Sequence, residues 1–242
     1  MLITERAGRM RAVDSAGRLS EPLDGVPKVL VHGQGGLLDI AVDPRSPENR
    51  LGYVSYSEAE GNGAAGTTVA RGGLGEASLE NMQVIYRQQP KVSGPNHFGS
   101  RLVFAHDGSL FVTQGDRTAY REQAQDLSSG IGKIVRINPD GSVPKDNPFA
   151  NGKGVRPEIW SYGHRNIQSA AIDPQTGQLW TIEHGARGGD ELNHPQAGKN
   201  YGWPIITYGV DYSGAKIGEG TAKPGMDQPV YYWDPGNRSI PG

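Results

Sequence analysis

Glu183-His-Gly-Ala-Arg-Gly-Gly-Asp-Glu-Leu-Asn193, followed by Gly198-Lys-Asn-Tyr-Gly-Trp-Pro204, gathers glycines, two adjacent carboxylates and a tyrosine in one short stretch. Glycine has no Cβ, so main-chain carbonyls there can turn toward a ligand with no side chain in the way. Those carbonyls, with Asp190 and Glu191, are hard oxygen donors. Ca²⁺ gathers such donors in sets of about six to eight. The stretch follows Gln178-Leu-Trp-Thr-Ile182, which reads as a strand. The donors would therefore sit at one end of a β-structure. A solvated glycine-rich turn with incidental acids would use the same residues.

The elements that must position such a loop are short strands. Apolar residues make up 35% of the 242, and 36 glycines and 17 prolines interrupt them, which favours many strands and tight turns over long helices. Three segments resemble one another: Leu37-Leu-Asp-Ile-Ala-Val-Asp-Pro44, the stretch from Arg101 to Asp116, and the stretch from Ser169 to Gly185. Each has a short apolar strand and an Asp-Pro or Asp-Gly turn, and in the last two a second strand follows at once. Asp43, Asp107 and Asp173 mark the turns, 64 and 66 residues apart. A repeat of about 65 residues has room for four strands and long loops. Gly52-Tyr-Val-Ser-Tyr-Ser57 and Gly132-Lys-Ile-Val-Arg-Ile-Asn138 are further strand candidates. The pattern predicts an all-β fold, a β-propeller of four-stranded antiparallel blades. Met1-Leu-Ile-Thr-Glu-Arg6 reads as the middle of a strand and Asn237-Arg-Ser-Ile-Pro-Gly242 as a turn-like stub. Residues 1–242 are thus expected to form a single incomplete propeller domain of about four blades.

Composition excludes several classes. A net charge of −2 argues against a general nucleic-acid or anionic-membrane surface. Without cysteine there is no disulfide, thiolate metal site or Cys nucleophile. No apolar run approaches the length of a membrane span, and no signal-peptide pattern is visible.

Four motifs occur in order: Gly33-Gln-Gly-Gly-Leu-Leu-Asp-Ile40, Asn96-His-Phe-Gly-Ser-Arg-Leu-Val103, Glu158-Ile-Trp-Ser-Tyr-Gly-His-Arg-Asn166, and the Glu183–Pro204 stretch. In them the chain resembles the soluble sugar dehydrogenases that use pyrroloquinoline quinone (PQQ), the glucose/sorbosone dehydrogenase family, and within it the aldose sugar dehydrogenase type. The resemblance runs from Met1 to about Trp233. It implies a six-bladed propeller carrying PQQ and Ca²⁺, a periplasmic or secreted location, and oxidation of the C1 hydroxyl of an aldose to the lactone. It also implies further cationic cofactor contacts on blades beyond residue 242.

Such chemistry requires a base for the hydroxyl proton, an electrophile on the quinone oxygen, and groups that hold a flat acidic cofactor. By resemblance His97 is the base, and imidazole titrates near neutral pH. A lone loop histidine is otherwise a surface group. Asp116 would orient His97, and Asn96 would shape the site. Arg165 would stabilise charge on the quinone oxygen, as its planar fork allows, and Asn166 would add a neutral donor. Arg165 could instead pair with a structural acid such as Glu158. Gln34 would bond a cofactor carboxylate. The carbonyls of Gly185 and Ala186 would hold the Ca²⁺ at the quinone, with Asp190 acting nearby through water. Glu191 and Tyr201 match residues that help bind a second, structural Ca²⁺. A Ca²⁺-dependent propeller lactonase and a non-enzymatic binding module are the alternatives. The sequence names neither the preferred sugar nor the electron acceptor.

Overall fold

The computed structural model describes residues 1–236; the stub at 237–242 lies outside the described residues. Strands β1 (Leu2–Glu5) and β2 (Arg9–Ala12) form an antiparallel hairpin. The first large sheet orders β3 (Leu37–Val42), β4 (Leu51–Ala59), β5 (Ala64–Leu74) and β6 (Leu79–Arg87), and the two-residue β7 (Val92–Ser93) adds to β5. The second orders β8 (Gly99–Phe104), β9 (Leu110–Gln114), β10 (Lys133–Ile137) and β11 (Ile159–Tyr162). The third orders β12 (Ile167–Ile172), β13 (Leu179–Glu183), β14 (Asp190–Asn193) and β15 (Tyr231–Trp233). All these pairings are antiparallel. Helical structure among the described residues is one turn at Ser46–Asn49 and a 3₁₀ turn at Arg121–Gln125. The four-stranded antiparallel units and their repetition are those of a propeller, as the sequence predicts.

The three marked aspartates occupy equivalent places, each between the first and second strands of its sheet. Each Oδ1 accepts the N–H two residues on, from Arg45, Ser109 and Gln175, all at 2.8 Å. This Asx geometry lets aspartate mimic a backbone turn. After Asp43 the chain makes its helical turn before β4, so the first hairpin is looser than the other two.

The sheets stack face to face through alternate side chains. Leu110 and Val112 of β9 face Tyr53, Val69 and Tyr86 of the first sheet, whereas Phe111 joins Ile167 and Leu179 of the third. Met10 and Leu23 cover the outer face of the first sheet against Leu37, Val54 and Tyr56. The first strands β3, β8 and β12 pack beside one another. Polar groups lace them. Asp39 accepts the Leu102 N–H at 2.9 Å, and Arg101 reaches both Asp39 and the Gln168 carbonyl, at 3.3 and 2.6 Å.

Glu58 ties the outer strands of the first sheet. It accepts hydrogen bonds from Thr68, Arg87 and Lys91. Partial burial pushes its carboxyl up, but the bonds from Arg87 and Lys91 outweigh that and bring it down to about 2. A carboxyl lowered on folding contributes stability that is complete above its ordinary 4.5 and is lost as pH falls toward about 2. Urea unfolding should therefore show wild type losing stability over that window more steeply than Glu58→Gln. The difference should be about 1 kcal/mol, because the pair is partly exposed. Equal acid limbs would contradict this role.

Candidate active site

The end of the sheets opposite the aspartate turns carries the chemistry. Gln34 precedes β3, His97 precedes β8, Asp116 follows β9, Arg165 and Asn166 join β11 to β12, and Gly185 and Ala186 follow β13. Four separate segments thus deliver Gln34, His97, Arg165, Asn166, Gly185, Ala186 and Asp190 to one cavity of about 440 Å³. His184, Arg187, Gly188 and Tyr212 complete its lining. A neighbouring cavity of about 220 Å³ shares Gln34, Asn166 and His184.

His97 is buried, with φ +55°. Two contacts hold it in this unusual conformation. Its N–H donates to Gln34 Oε1 at 2.8 Å, and its Nδ1 lies 2.6 Å from Asp116 Oδ1. Asp116 is 1% exposed and also accepts the Thr118 N–H at 2.7 Å and the Trp203 indole N–H at 2.8 Å. A carboxylate facing Nδ1 fixes that nitrogen as the donor, which leaves Nε2 as the lone-pair nitrogen. Gly115 lies against His97: a Cβ there would come within 2.1 Å of the His97 carbonyl oxygen.

Arg117 secures the same loop from behind. It is 1% exposed, donates to the carbonyls of Gly94, Asn96 and Ala65, and stacks 3.7 Å over the Phe98 ring. Burial brings its guanidinium down to about 10. Nothing in its loop context marked Arg117 in the sequence.

Arg165 donates from Nη1 to the His184 carbonyl at 2.9 Å, and its own N–H is held by Glu183 Oε2 at 2.7 Å. It does not pair with Glu158, which takes Arg156 at 2.7 Å. Asn166 Oδ1 accepts from Gln168 at 2.9 Å, so its amide N–H₂ is the donor face. Gln34 is committed in the same way. Its oxygen holds His97, and its N–H₂ is the donor face toward a ligand.

Gly185 donates its N–H to Asp190 Oδ1 at 2.7 Å. A Cβ at Gly185 would lie 2.1 Å from the Gly188 carbonyl oxygen and 2.5 Å from that of Gly189. Two carbonyl oxygens thus press on Gly185, where only glycine fits. Among the described residues, no three His, Asp or Glu side chains are set to grip a metal ion together. A cation in this loop would rest mainly on main-chain oxygens, and the donor set is hard, as Ca²⁺ requires.

Glu191 and Tyr201 lie together in a space that adjoins the main cavity through Arg165, His184 and Gly185. They line a small enclosed space with Glu183, Gly185, Arg165 and Trp203. Burial, with the Glu183 and Asp190 carboxylates close by, pushes Glu191 up to about 8. An excess of acid of this kind fits a cation. The Tyr201 hydroxyl donates to the His194 carbonyl at 2.8 Å, so the side-chain oxygen is already engaged. Glu183 also accepts from His164 at 3.1 Å and from Asn193 at 3.0 Å. No local spacing in the sequence marks a role for Glu183 or Trp203.

The Glucose / Sorbosone dehydrogenase family model matches residues 1–241. The chain is 49% identical to the aldose sugar dehydrogenase YliI of Escherichia coli (strain K12) over 237 residues, covering 96% of this chain and 64% of that protein. A crystal structure of the soluble aldose sugar dehydrogenase from Escherichia coli in the apo form superposes with a TM-score of 0.93 at 49% identity, over 96% of this chain and 68% of that one. The PQQ-bound form of an aldose sugar dehydrogenase from Streptomyces coelicolor gives a TM-score of 0.80 at 31% identity, over 96% of this chain and 64% of that one. The chain therefore spans just under two thirds of the length of the curated relative. Among the described residues no helix is long and apolar enough to cross a membrane.

Proposed function

The chain belongs to the glucose/sorbosone dehydrogenase family, and from that premise we propose that its site oxidises the C1 hydroxyl of an aldose to the lactone with PQQ and Ca²⁺. One observation carries the reading: His97, backed by the buried Asp116, and an arginine held by a main-chain carbonyl face the same cavity. The PQQ-bound relative supports the choice of cofactor.

In this reading Nε2 of His97 takes the proton of the anomeric hydroxyl. Asp116 keeps the ring in the required tautomer and stabilises the imidazolium that forms. The sugar loses that proton and the C1 hydrogen with its electron pair, which leaves the C1–O double bond of the lactone. PQQ, when bound, supplies the acceptor for that hydride, and Ca²⁺ supplies positive charge beside it. Arg165 and the amide N–H₂ of Asn166 donate to an oxygen that gains negative charge. The N–H₂ of Gln34 offers a neutral donor for a carboxylate. The carbonyls of Gly185 and Ala186 would hold the cation near the quinone, and Asp190 would contribute by keeping the Gly185 N–H in place. Glu191, with the main chain at Tyr201, would hold a second cation. A periplasmic or secreted location goes with this reading.

The test is a dye-linked assay of the full-length enzyme. EDTA should abolish aldose oxidation, and Ca²⁺ with PQQ should restore it, since oxygen ligands release the ion reversibly. Activity that survives EDTA, or that needs no added quinone after its removal, would contradict the proposal.

A further inference from the structure

Trp203 lies in the Gly198–Pro204 stretch and has no part in the reaction described above. Yet it touches both halves of that site. Its indole N–H donates to Asp116 Oδ2 at 2.8 Å across 87 residues of sequence, on the oxygen that His97 does not use. The Arg165 guanidinium carbon stands 5.4 Å from the centre of its ring system. The ring is 6% exposed and packs with Ala124 and Ile217, and Ala186 lies against that cluster.

The main chain that carries the indole is firmly held. The backbone N–H of Trp203 donates to the Gly163 carbonyl at 2.9 Å, and the backbone carbonyl of Trp203 accepts from Gln125 at 2.7 Å. Gln125 ends the 3₁₀ turn, and Lys133 anchors that turn from below. The Lys133 ammonium nitrogen is fully buried and donates to the carbonyls of Gln123, Ala124 and Ile131, at 2.8, 3.0 and 2.7 Å. The ring thus has a fixed place between two sheets.

We propose that Trp203 is a positioning residue that locks the Asp116 carboxylate behind His97 and, with the same ring, seats the Arg165 guanidinium. A carboxylate aimed at one imidazole nitrogen can rotate about its Cβ–Cγ bond. Donors on both oxygens stop that rotation and hold Oδ1 in line with Nδ1. Thr118 N–H steadies Oδ1 and Trp203 steadies Oδ2. The indole face supplies a cation–π contact at the distance where guanidinium groups stack on aromatic rings. One side chain therefore sets the relative placement of the base and the electrophile. This role rests on the proposed oxidation, but its structural half does not.

The test has two arms. NMR on the 242-residue chain follows the four indole N–H protons while His97 is titrated. The Trp203 proton should move with the His97 midpoint, and the Trp160 proton, which faces the Pro195 carbonyl, should not. In Trp203→Phe, which keeps a ring under Arg165 and removes the N–H, the His97 Nδ1–H resonance should move upfield. A Trp203 indole proton that ignores the His97 titration overturns the proposal, even if the Phe variant does not fold. The second arm uses the full-length enzyme with PQQ. Trp203→Phe should lower kcat about tenfold, the cost of one hydrogen bond to a charged group, with the sugar KM within about twofold. In an Asp116→Asn background the same change should alter kcat by less than about twofold. An equal loss in both backgrounds would make Trp203 a structural residue and overturn the proposal. Absence of aldose oxidation in wild type would sink the proposed function, whereas the NMR arm would still decide on Trp203.

Discussion

His97→Ala in the full-length enzyme lowers kcat for aldose oxidation by about 10² to 10⁴, the range for removing a general base. PQQ affinity changes little, because the imidazole is assigned to the proton of the sugar and not to the cofactor. The loss is confined to the chemical step because the rest of the loop is held independently of the imidazole. Arg117 carries the Gly94 and Asn96 carbonyls and stacks on Phe98, and Gln34 takes the backbone N–H at position 97. Steady-state kinetics with a saturating artificial acceptor, together with a quinone binding titration, separates the two quantities. A variant that binds PQQ poorly but keeps its kcat would place His97 on the cofactor instead. Asp116→Asn should give a smaller loss of the same kind. It keeps the shape but no longer specifies the Nδ1–H tautomer.

Arg165→Met is expected to cost about 10² to 10³ in kcat, as for removal of one preorganised donor at a developing negative charge. Here binding falls as well, since the guanidinium lies on the wall of the cavity that the proposal assigns to the quinone. Arg165→Lys should recover only part of the loss, because an ammonium lacks the planar fork. The backbone at 165 should stay in place in either variant, since Glu183 holds its N–H and Asp116 N–H donates to its carbonyl. Circular dichroism and the unfolding midpoint would confirm that. An Arg165→Met enzyme with wild-type kcat would remove the electrophile from the account.

The repeat was legible because its punctuation is local. Asp43, Asp107 and Asp173 each bind the N–H two residues on, and a turn of that kind is written in two or three adjacent letters. Strands β4 and β10 show as apolar β-rich runs. Strand β5 did not stand out, since Ala64–Leu74 is built of small residues and glycines, and its burial comes from sheets packed on both faces rather than from its own pattern. Strand β15 is separated from β14 by a long loop, so only the fold brings them together.

The site divides in the same way. Its glycines brought out the Gly185–Asp190 loop, the family resemblance brought out Gln34, His97, Arg165 and Asn166, and all of these line one cavity. The supporting groups were not legible. Glu183 holds an N–H 18 residues back, Trp203 reaches across 87 residues, and Arg117 binds carbonyls instead of acids. No local spacing encodes contacts of that length. Gln34 shows a further limit. It was expected to bond a cofactor carboxylate, and its oxygen in fact supports the strained backbone at His97, which leaves its N–H₂ for that purpose.

The most direct test is an anaerobic single turnover. The full-length enzyme is loaded with Ca²⁺ and one equivalent of PQQ and mixed with an aldose in the absence of any other acceptor. The quinone absorbance should change from oxidised to reduced, with one lactone formed per site, and His97→Ala should slow that change by the same factor as kcat. Lactone formation with the quinone spectrum unchanged, or a spectral change as fast in His97→Ala as in wild type, would contradict the account.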